Sequence, residues 1–269
     1  MAPSKVQEVE TPFTTAAVAL DIEFWQSYST GHPNPTENFF KLTNGYYLSH
    51  RNPLTGVAHD VGTRPGNIAS RLAPYFHRVV GSDVNEGDLT AAPAILRKEY
   101  LQQILSLPEA AIPEEVGKGK TDLIVVSECM PLLDATKALK SFHTMLRPGG
   151  SLAIYFYRRS IFTSEKASTL DVIYDRIATR ICTFLLPFKG IPGFTFHSRA
   201  AEAMFSWLDS IAFLLMEWES TERRKWNNNI IPLLFNSKEG YDFEFERVDR
   251  RGEGEVTTEM IDRGLWAEE

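Results

Sequence analysis

The segment from His59 to Asp83 constrains the fold more than any other part of the chain. A short apolar run ends at Asp60–Gly62 and passes into a turn that closes with Gly66. Helical periodicity follows from Asn67, and a second apolar run then ends in Asp83. Strand, glycine turn, helix and strand in this order predict two parallel strands that are joined by a right-handed crossover.

The same alternation continues along the chain. Apolar runs over 120–127 and 151–157 predict two further strands, with a helix over 135–146 between them. The sequence therefore predicts an α/β fold with a doubly wound, mostly parallel sheet. Behind a flexible tail (1–15) we expect a single domain with four parts: a helical cap (16–50), a cofactor-binding core (56–157), a helical lid or substrate wall (158–220) and late strands (221–269).

Charge and cysteine content exclude several classes of protein. The chain has 28 Lys and Arg against 35 Asp and Glu, a formal net charge of −7, which disfavours a general nucleic-acid binder. Its two cysteines, Cys129 and Cys182, cannot build a disulfide framework. The N-terminus lacks the pattern of a signal peptide, and the apolar segments are too short to span a bilayer. We expect a cytoplasmic protein that binds a small molecule and neither nucleic acid nor membrane.

The glycine turn predicts a ligand that lies on the backbone. Asp83 follows Gly62 by 21 positions, a distance at which a carboxylate can accept both hydroxyls of a ribose. The alternative is a tight turn with a helix-capping aspartate. A dinucleotide is disfavoured, because Arg64 stands at the second glycine position of the pyrophosphate loop and Pro65 has no amide hydrogen. The six histidines have no metal-ligand spacing, so no metal site is predicted.

Four segments, 58–66, 79–83, 126–134 and 146–150, resemble the class I S-adenosylmethionine-dependent methyltransferases. More narrowly, the chain is similar to the trans-aconitate methyltransferase-like proteins of fungi, including its aromatic opening over 24–28. The resemblance covers about residues 24 to 266. It implies a Rossmann-like methyltransferase fold with a sheet of the seven-stranded type, S-adenosylmethionine as the cofactor and S-adenosylhomocysteine as its product.

The resemblance also assigns roles to residues. It implies that the loop of Asp60, Gly62, Arg64 and Gly66 lies under the methionine part of the cofactor. It implies that Asp83 binds the ribose and Glu109 the adenine amino group. It further implies that Ser127 and Glu128 line the pocket wall and that Trp25 and Tyr28 lie near the sulfonium. Methyl transfer depends on alignment, so no catalytic acid or base is assigned; the candidates for contact with the reacting groups are Tyr28, Glu128, Arg158 and Arg159.

Three departures from the family pattern bear on function. The family usually has glycine where Arg64 stands. The guanidinium of Arg64 either points outward from the loop or lies across the methionine subsite. The segments 157–160 and 32–33 also differ from the usual pattern. We expect methyl transfer to a small molecule, such as a carboxylic acid or a secondary metabolite. The alternatives are a repurposed pocket that catalyses a cyclisation or rearrangement, and a non-catalytic binding partner.

Two further groups have a functional and a structural interpretation. Cys129 beside Glu128 is a candidate nucleophile, although the sequence identifies no base for it. The basic run 223–225, next to Trp226, could bind an anion, but a solvated strand edge is the interpretation that we favour.

Overall fold

The computed structural model describes ten parts of the chain: 22–31, 35–50, 56–84, 89, 104–108, 116–157, 162, 164–183, 199–228 and 247–261. The chain divides into two compact units, which we call the sheet unit (16–130, 135–156 and 263–269) and the second unit (1–15, 131–134 and 157–262). Several predicted features lie outside the described residues: the tail 1–15, the segment 32–33, Glu109, Arg158 and Arg159. The division into cap, core, lid and late strands stays a prediction.

The sheet unit contains a five-stranded parallel sheet, which confirms the predicted α/β architecture. Its strands are β1 (Val57–Val61), β2 (Arg78–Asp83), β3 (Ile104–Pro108), β4 (Thr121–Ser127) and β5 (Leu146–Tyr155). Their order across the sheet is β3-β2-β1-β4-β5, and every neighbouring pair is parallel. Strand β4 is buried along 121–126, as expected for a parallel strand that is covered on both faces.

Among the described residues, this sheet is accompanied by the helices α1 (Ile22–Gly31), α2 (Glu37–His50), α3 (Asn67–Leu72) and α4 (Ala135–Met145). Helices α1 and α2 confirm the helical prediction on either side of the break near 31–35. Phe39 on α2 packs against Tyr155, with ring centroids 4.8 Å apart, and Tyr47 packs against Phe76 at 5.3 Å. These rings belong to the buried cluster that also holds Leu72 of α3. Burial of the aromatic side chains is therefore what fixes α2 to the sheet.

The second unit contains helices α5 (Ala167–Thr183) and α6 (Arg199–Phe205) and strands β6 (Glu222–Trp226) and β7 (Val256–Met260). Strands β6 and β7 are parallel and pair with each other. In the described residues, the seven strands therefore form a sheet of five and a separate sheet of two. None of the helices in the described part of the chain is long and apolar enough to cross a membrane.

The basic run on β6 is where the prediction from sequence is wrong. We expected a solvated strand edge, but only Arg224 is exposed. The ammonium of Lys225 lies 2.6 Å from both carboxylate oxygens of the fully buried Asp209. Arg223 donates to Glu255 at 2.5 Å, and these two side chains are 10% and 1% exposed. The anions that this run binds are carboxylates of the same chain, because a buried carboxylate requires a partner of opposite charge.

Candidate functional site

The strand order reverses between β1 and β4. From β1 the chain builds outward through β2 and β3, and it then returns to place β4 on the other side of β1. Loops that leave two such strands diverge, and the crevice between them at the carboxyl ends is where ligands bind in open α/β sheets. Here the loops are 62–66, which leads into α3, and 128–129, which leaves β4.

The loop after β1 has a left-handed backbone at three positions. The φ angles of Gly62, Arg64 and Gly66 are 70°, 51° and 93°. The amides of Gly62 and Thr63 both donate to the carbonyl of Ser82, at 2.8 and 2.9 Å, which ties the loop to β2. A Cβ atom on Gly62 would lie 2.9 Å from the Cys129 sulfur. Glycine is thus required at position 62 both for its φ angle and for the close approach of the β4 loop.

Asp60 organises this loop from within. Its side chain is buried, and one carboxylate oxygen accepts both the Thr63 hydroxyl at 2.6 Å and the Ala69 amide at 3.0 Å. Burial raises the pKa of Asp60 to about 7, and the nearby charge of Asp83 adds to this effect. The contacts connect β1, the loop and α3, so Asp60 sets the loop conformation.

Asp83 lies at the end of β2, against the same loop. Its Oδ2 atom accepts the Arg64 amide at 2.9 Å, and the residue is 9% exposed. On the β4 side, Ser127 and Glu128 are half-buried, and the Glu128 amide donates to the Tyr155 carbonyl at 2.9 Å. The structure therefore places Asp83, the predicted ribose-binding residue, and Ser127 and Glu128, the predicted pocket wall, at the carboxyl ends of β2 and β4, the two strands on either side of β1.

Cys129 does not have the properties of a nucleophile. Its thiol donates to the Val61 carbonyl at 3.2 Å. Desolvation, together with the smaller effect of the charges of Asp60 and Asp83, raises the pKa of this thiol to about 12. A thiol needs to ionise before it attacks, so Cys129 remains protonated and unreactive near neutral pH.

Helix α1 brings two of the predicted aromatic residues together. Trp25 is 2% exposed and meets Tyr28 edge to face, with ring centroids 5.2 Å apart. The indole nitrogen of Trp25 has no hydrogen-bond partner in the described part of the chain. The Tyr28 hydroxyl accepts a hydrogen bond from the Arg64 guanidinium, whose carbon also lies 5.1 Å from the centre of the Tyr28 ring. The Arg64 side chain thus extends from the loop to α1.

Two residues that were not predicted from the sequence, Thr63 and Ser82, shape the site. Thr63 supplies the hydroxyl to Asp60, and Ser82 supplies the carbonyl that holds the loop. The spacing of an aspartate and a threonine three residues later was a usable signal for Thr63, since such side chains commonly bond within turns. A backbone carbonyl such as that of Ser82 leaves no signal in sequence. Among the described residues, no cluster of three or more His, Cys, Asp or Glu could hold a metal ion.

Comparisons with known proteins agree with this architecture. A family model described as a methyltransferase domain matches residues 59–154. Methyltransferase ptaI of Pestalotiopsis fici is 54% identical over 277 residues, which cover 99% of this chain and 81% of that protein. Methyltransferase pgmE of Aspergillus terreus is 32% identical over 258 residues, which cover 91% of this chain and 75% of that protein.

Solved structures show more distant similarity. A putative type II methyltransferase from Anaeromyxobacter dehalogenans is 21% identical with a TM-score of 0.40, and the match covers 51% of this chain and 56% of that one. Phosphoethanolamine N-methyltransferase 2 of Haemonchus contortus, solved with S-adenosyl-L-methionine, is 21% identical with a TM-score of 0.36, over 49% of this chain and 32% of that one.

The family follows from the two fungal relatives, each matched over most of its own length, and from the domain match across β1 to β5. The chain belongs to the class I S-adenosylmethionine-dependent methyltransferases.

Proposed function

We propose that this methyltransferase transfers a methyl group to a small molecule with a carboxylate as the accepting group, in secondary metabolism. The observation that carries the cofactor part of this proposal is the position of Asp83. It lies at the end of β2, against the left-handed loop of β1 and beside the strand-order reversal. A carboxylate at this position of a nucleoside-binding fold accepts the ribose hydroxyls.

The residues present fit such a cofactor. Gly62 and Gly66 contribute no side chain to the loop on which the cofactor's methionine part would lie, and both have a left-handed φ angle. A carboxylate has about four acceptor sites, so Asp83 can hold the Arg64 amide and also accept ribose hydroxyls. The buried, unpartnered indole N–H of Trp25 is a donor for a ligand oxygen. Asp60 contributes indirectly, through the loop that it holds.

For methyl transfer the protein has to align the acceptor with the methyl group and exclude water from the site. S-adenosylmethionine supplies a methyl group that its sulfonium has already activated. In this proposal the aromatic pair Trp25 and Tyr28 would lie near the sulfonium, and Ser127 and Glu128 would line the pocket wall. An acceptor carboxylate is ionised at neutral pH, so no general base is needed. Desolvation, with the charge of Glu128, raises the pKa of Tyr155, which therefore stays protonated beside this wall.

The remaining predictions keep their original basis. Glu109, Arg158 and Arg159 stay candidates for contacts with the adenine and with the acceptor. The acidic net charge supports the expectation that nucleic acid is not a partner, and we expect a cytoplasmic location without membrane binding. A repurposed pocket or a non-catalytic role is not favoured, because the fungal relatives described above are all named methyltransferases.

Asp83→Asn tests the proposed ribose contact. The amide oxygen can still accept the Arg64 N–H, so the fold should be retained, while the charge that strengthens the ribose hydrogen bonds is lost. We expect the affinity for S-adenosylhomocysteine, measured by isothermal titration calorimetry, to fall by about 10- to 150-fold. Glu259→Gln, at an exposed position on β7, is the matched control and should bind as the wild type does. Unchanged affinity in a folded Asp83→Asn variant would contradict the proposal.

A further inference from the structure

The Arg64 side chain is held in place at the candidate site. Its guanidinium donates to the Tyr28 hydroxyl, and its central carbon lies 5.1 Å from the centre of the Tyr28 ring. Its backbone amide donates to Asp83 at 2.9 Å. Both ends of the residue are thus fixed, one on α1 and the other on β2, so the position of the cation is set before any ligand arrives.

A second arginine of the sheet unit, Arg71, has a carboxylate partner that Arg64 lacks among the described residues. The Arg71 guanidinium lies 4.4 Å from the centre of the Phe40 ring, an arrangement like that of Arg64 over Tyr28. Arg71 is also paired with the carboxylate of Glu37. Among the residues that the structure describes, Arg64 forms no ion pair with a carboxylate. The loop that leads from β1 to α3 therefore carries a cation, held beside Tyr28 of α1, that has no counter-ion from the described chain.

The geometry of a guanidinium determines which ligand group can pair with Arg64. It has five N–H donors in a planar fork, of which one is used by Tyr28, and this fork matches a carboxylate bidentately. The residue also adopts a φ angle of 51°, where glycine or asparagine would be less strained. An arginine that is kept in this conformation, at the end of a ligand-binding strand, is consistent with a role in binding.

We propose that Arg64, positioned by Tyr28, binds a carboxylate of a ligand at this site. This inference rests on the proposed function and adds the group that the side chain recognises. Two ligands could supply that carboxylate: the amino-acid part of the cofactor and the methyl acceptor.

Arg64→Asn tests the inference, because asparagine tolerates a left-handed backbone and removes the charge. Two nucleosides distinguish the sources: S-adenosylhomocysteine carries the amino-acid carboxylate, and 5′-methylthioadenosine lacks it. Benzoate, titrated into the protein saturated with S-adenosylhomocysteine, probes for an acceptor carboxylate. The same titrations on Arg71→Gln control for loss of an arginine that stacks on an aromatic ring but has its own counter-ion. Circular dichroism verifies that each variant is folded.

Either of two results supports the inference. If the cofactor supplies the carboxylate, Arg64→Asn weakens binding of S-adenosylhomocysteine by about tenfold or more and leaves 5′-methylthioadenosine unchanged. If the acceptor supplies it, both nucleosides bind as in the wild type, and the wild-type affinity for benzoate is lost. In either case Tyr28→Phe should show a smaller loss of affinity for the same ligand, because the Arg64 guanidinium still contacts the ring but no longer has the hydroxyl as a hydrogen-bond partner.

Other results overturn it in ways that can be told apart. An Arg64→Asn variant that binds all three probes like the wild type, or that loses both nucleosides equally, contradicts carboxylate binding by Arg64 and leaves the proposed function standing. A wild-type chain that binds neither nucleoside contradicts the proposed function, and the inference falls with it.

Discussion

At the scale of single residues, β1 contains two adjacent titratable side chains, His59 and Asp60, whose pKa values shift in opposite directions. His59 is buried, with its Nε2 atom 2.8 Å from the Ser82 hydroxyl, and Nδ1 has no partner among the described residues. Burial lowers the pKa of His59 from 6.5 to about 4, whereas burial raises that of Asp60 to about 7. Both groups thus favour their neutral forms, as expected for side chains on a strand that is covered on both faces.

His59 predicts a specific pH dependence of stability. Its folded pKa lies below its unfolded pKa, so the unfolded chain takes up a proton first as the pH falls from 6.5 towards 4. The free energy of unfolding should therefore fall in this window by up to about 3 kcal/mol through His59. Asp60 acts in the opposite sense, since its raised pKa makes the fold lose stability as the pH rises towards 7.

Comparison with His59→Leu isolates the histidine, because both proteins contain Asp60. Urea unfolding between pH 7 and pH 4.5 should show the variant gaining stability relative to the wild type as the pH falls. His77→Gln, at an exposed position on the same unit, is the control for removal of a histidine. Parallel pH profiles for wild type and His59→Leu would show that His59 is not buried in its neutral form.

At the scale of elements, the pair β6 and β7 is anchored by buried charge. Asp209 is fully buried and accepts Lys225 at 2.6 Å and Arg247 at 3.1 Å, while Arg223 joins Glu255 and the carbonyls of Leu208 and Ile211. Such pairs add little net stability compared with apolar packing, but the loss of one partner leaves an uncompensated charge. The network therefore ties β6 to the turn at 206–211.

Lys225→Met should be strongly destabilising for this reason. It leaves Asp209 with Arg247 as its nearest remaining cation, and we expect a loss of about 3 kcal/mol in the free energy of urea unfolding. Arg224→Met on the same strand is the matched control, since its pair with Glu222 is solvent-exposed and should contribute less than about 1 kcal/mol. Adding Asp209→Asn to Lys225→Met should recover part of the loss. Equal losses for Lys225→Met and Arg224→Met would disprove the anchoring role.

At the scale of the whole molecule, the sheet was predictable where its strands are buried on both faces. Strands β1, β2 and β4 are largely buried runs, as expected for parallel strands that are covered on both sides. The ends of the helices and strands were predicted less accurately. The sequence keeps a helical periodicity up to Phe76, but α3 ends at Leu72: Ala73 still has a helical conformation, and Pro74 has no amide with which to continue the helical hydrogen bonds. Strand β5 begins inside the predicted turn at 146–150, and Pro148 is tolerated because β5 is an edge strand in the described sheet.

The side-chain partners could not be predicted in the same way. Lys225 and Asp209 are 16 residues apart, Arg223 and Glu255 are 32 apart, and Arg64 and Tyr28 are 36 apart. No periodicity connects such positions, because the fold and not the local sequence brings them together. The glycine loop and Asp83 were predictable, since backbone geometry and a carboxylate at a strand end each restrict the residue type.

A crystal structure of this chain with S-adenosylhomocysteine would show whether Asp83 binds the ribose. We expect the nucleoside in the crevice between the loops after β1 and β4, with ribose hydroxyls within hydrogen-bond distance of the Asp83 carboxylate. Density for the nucleoside at another place, or a ribose that makes no contact with Asp83, would contradict this expectation.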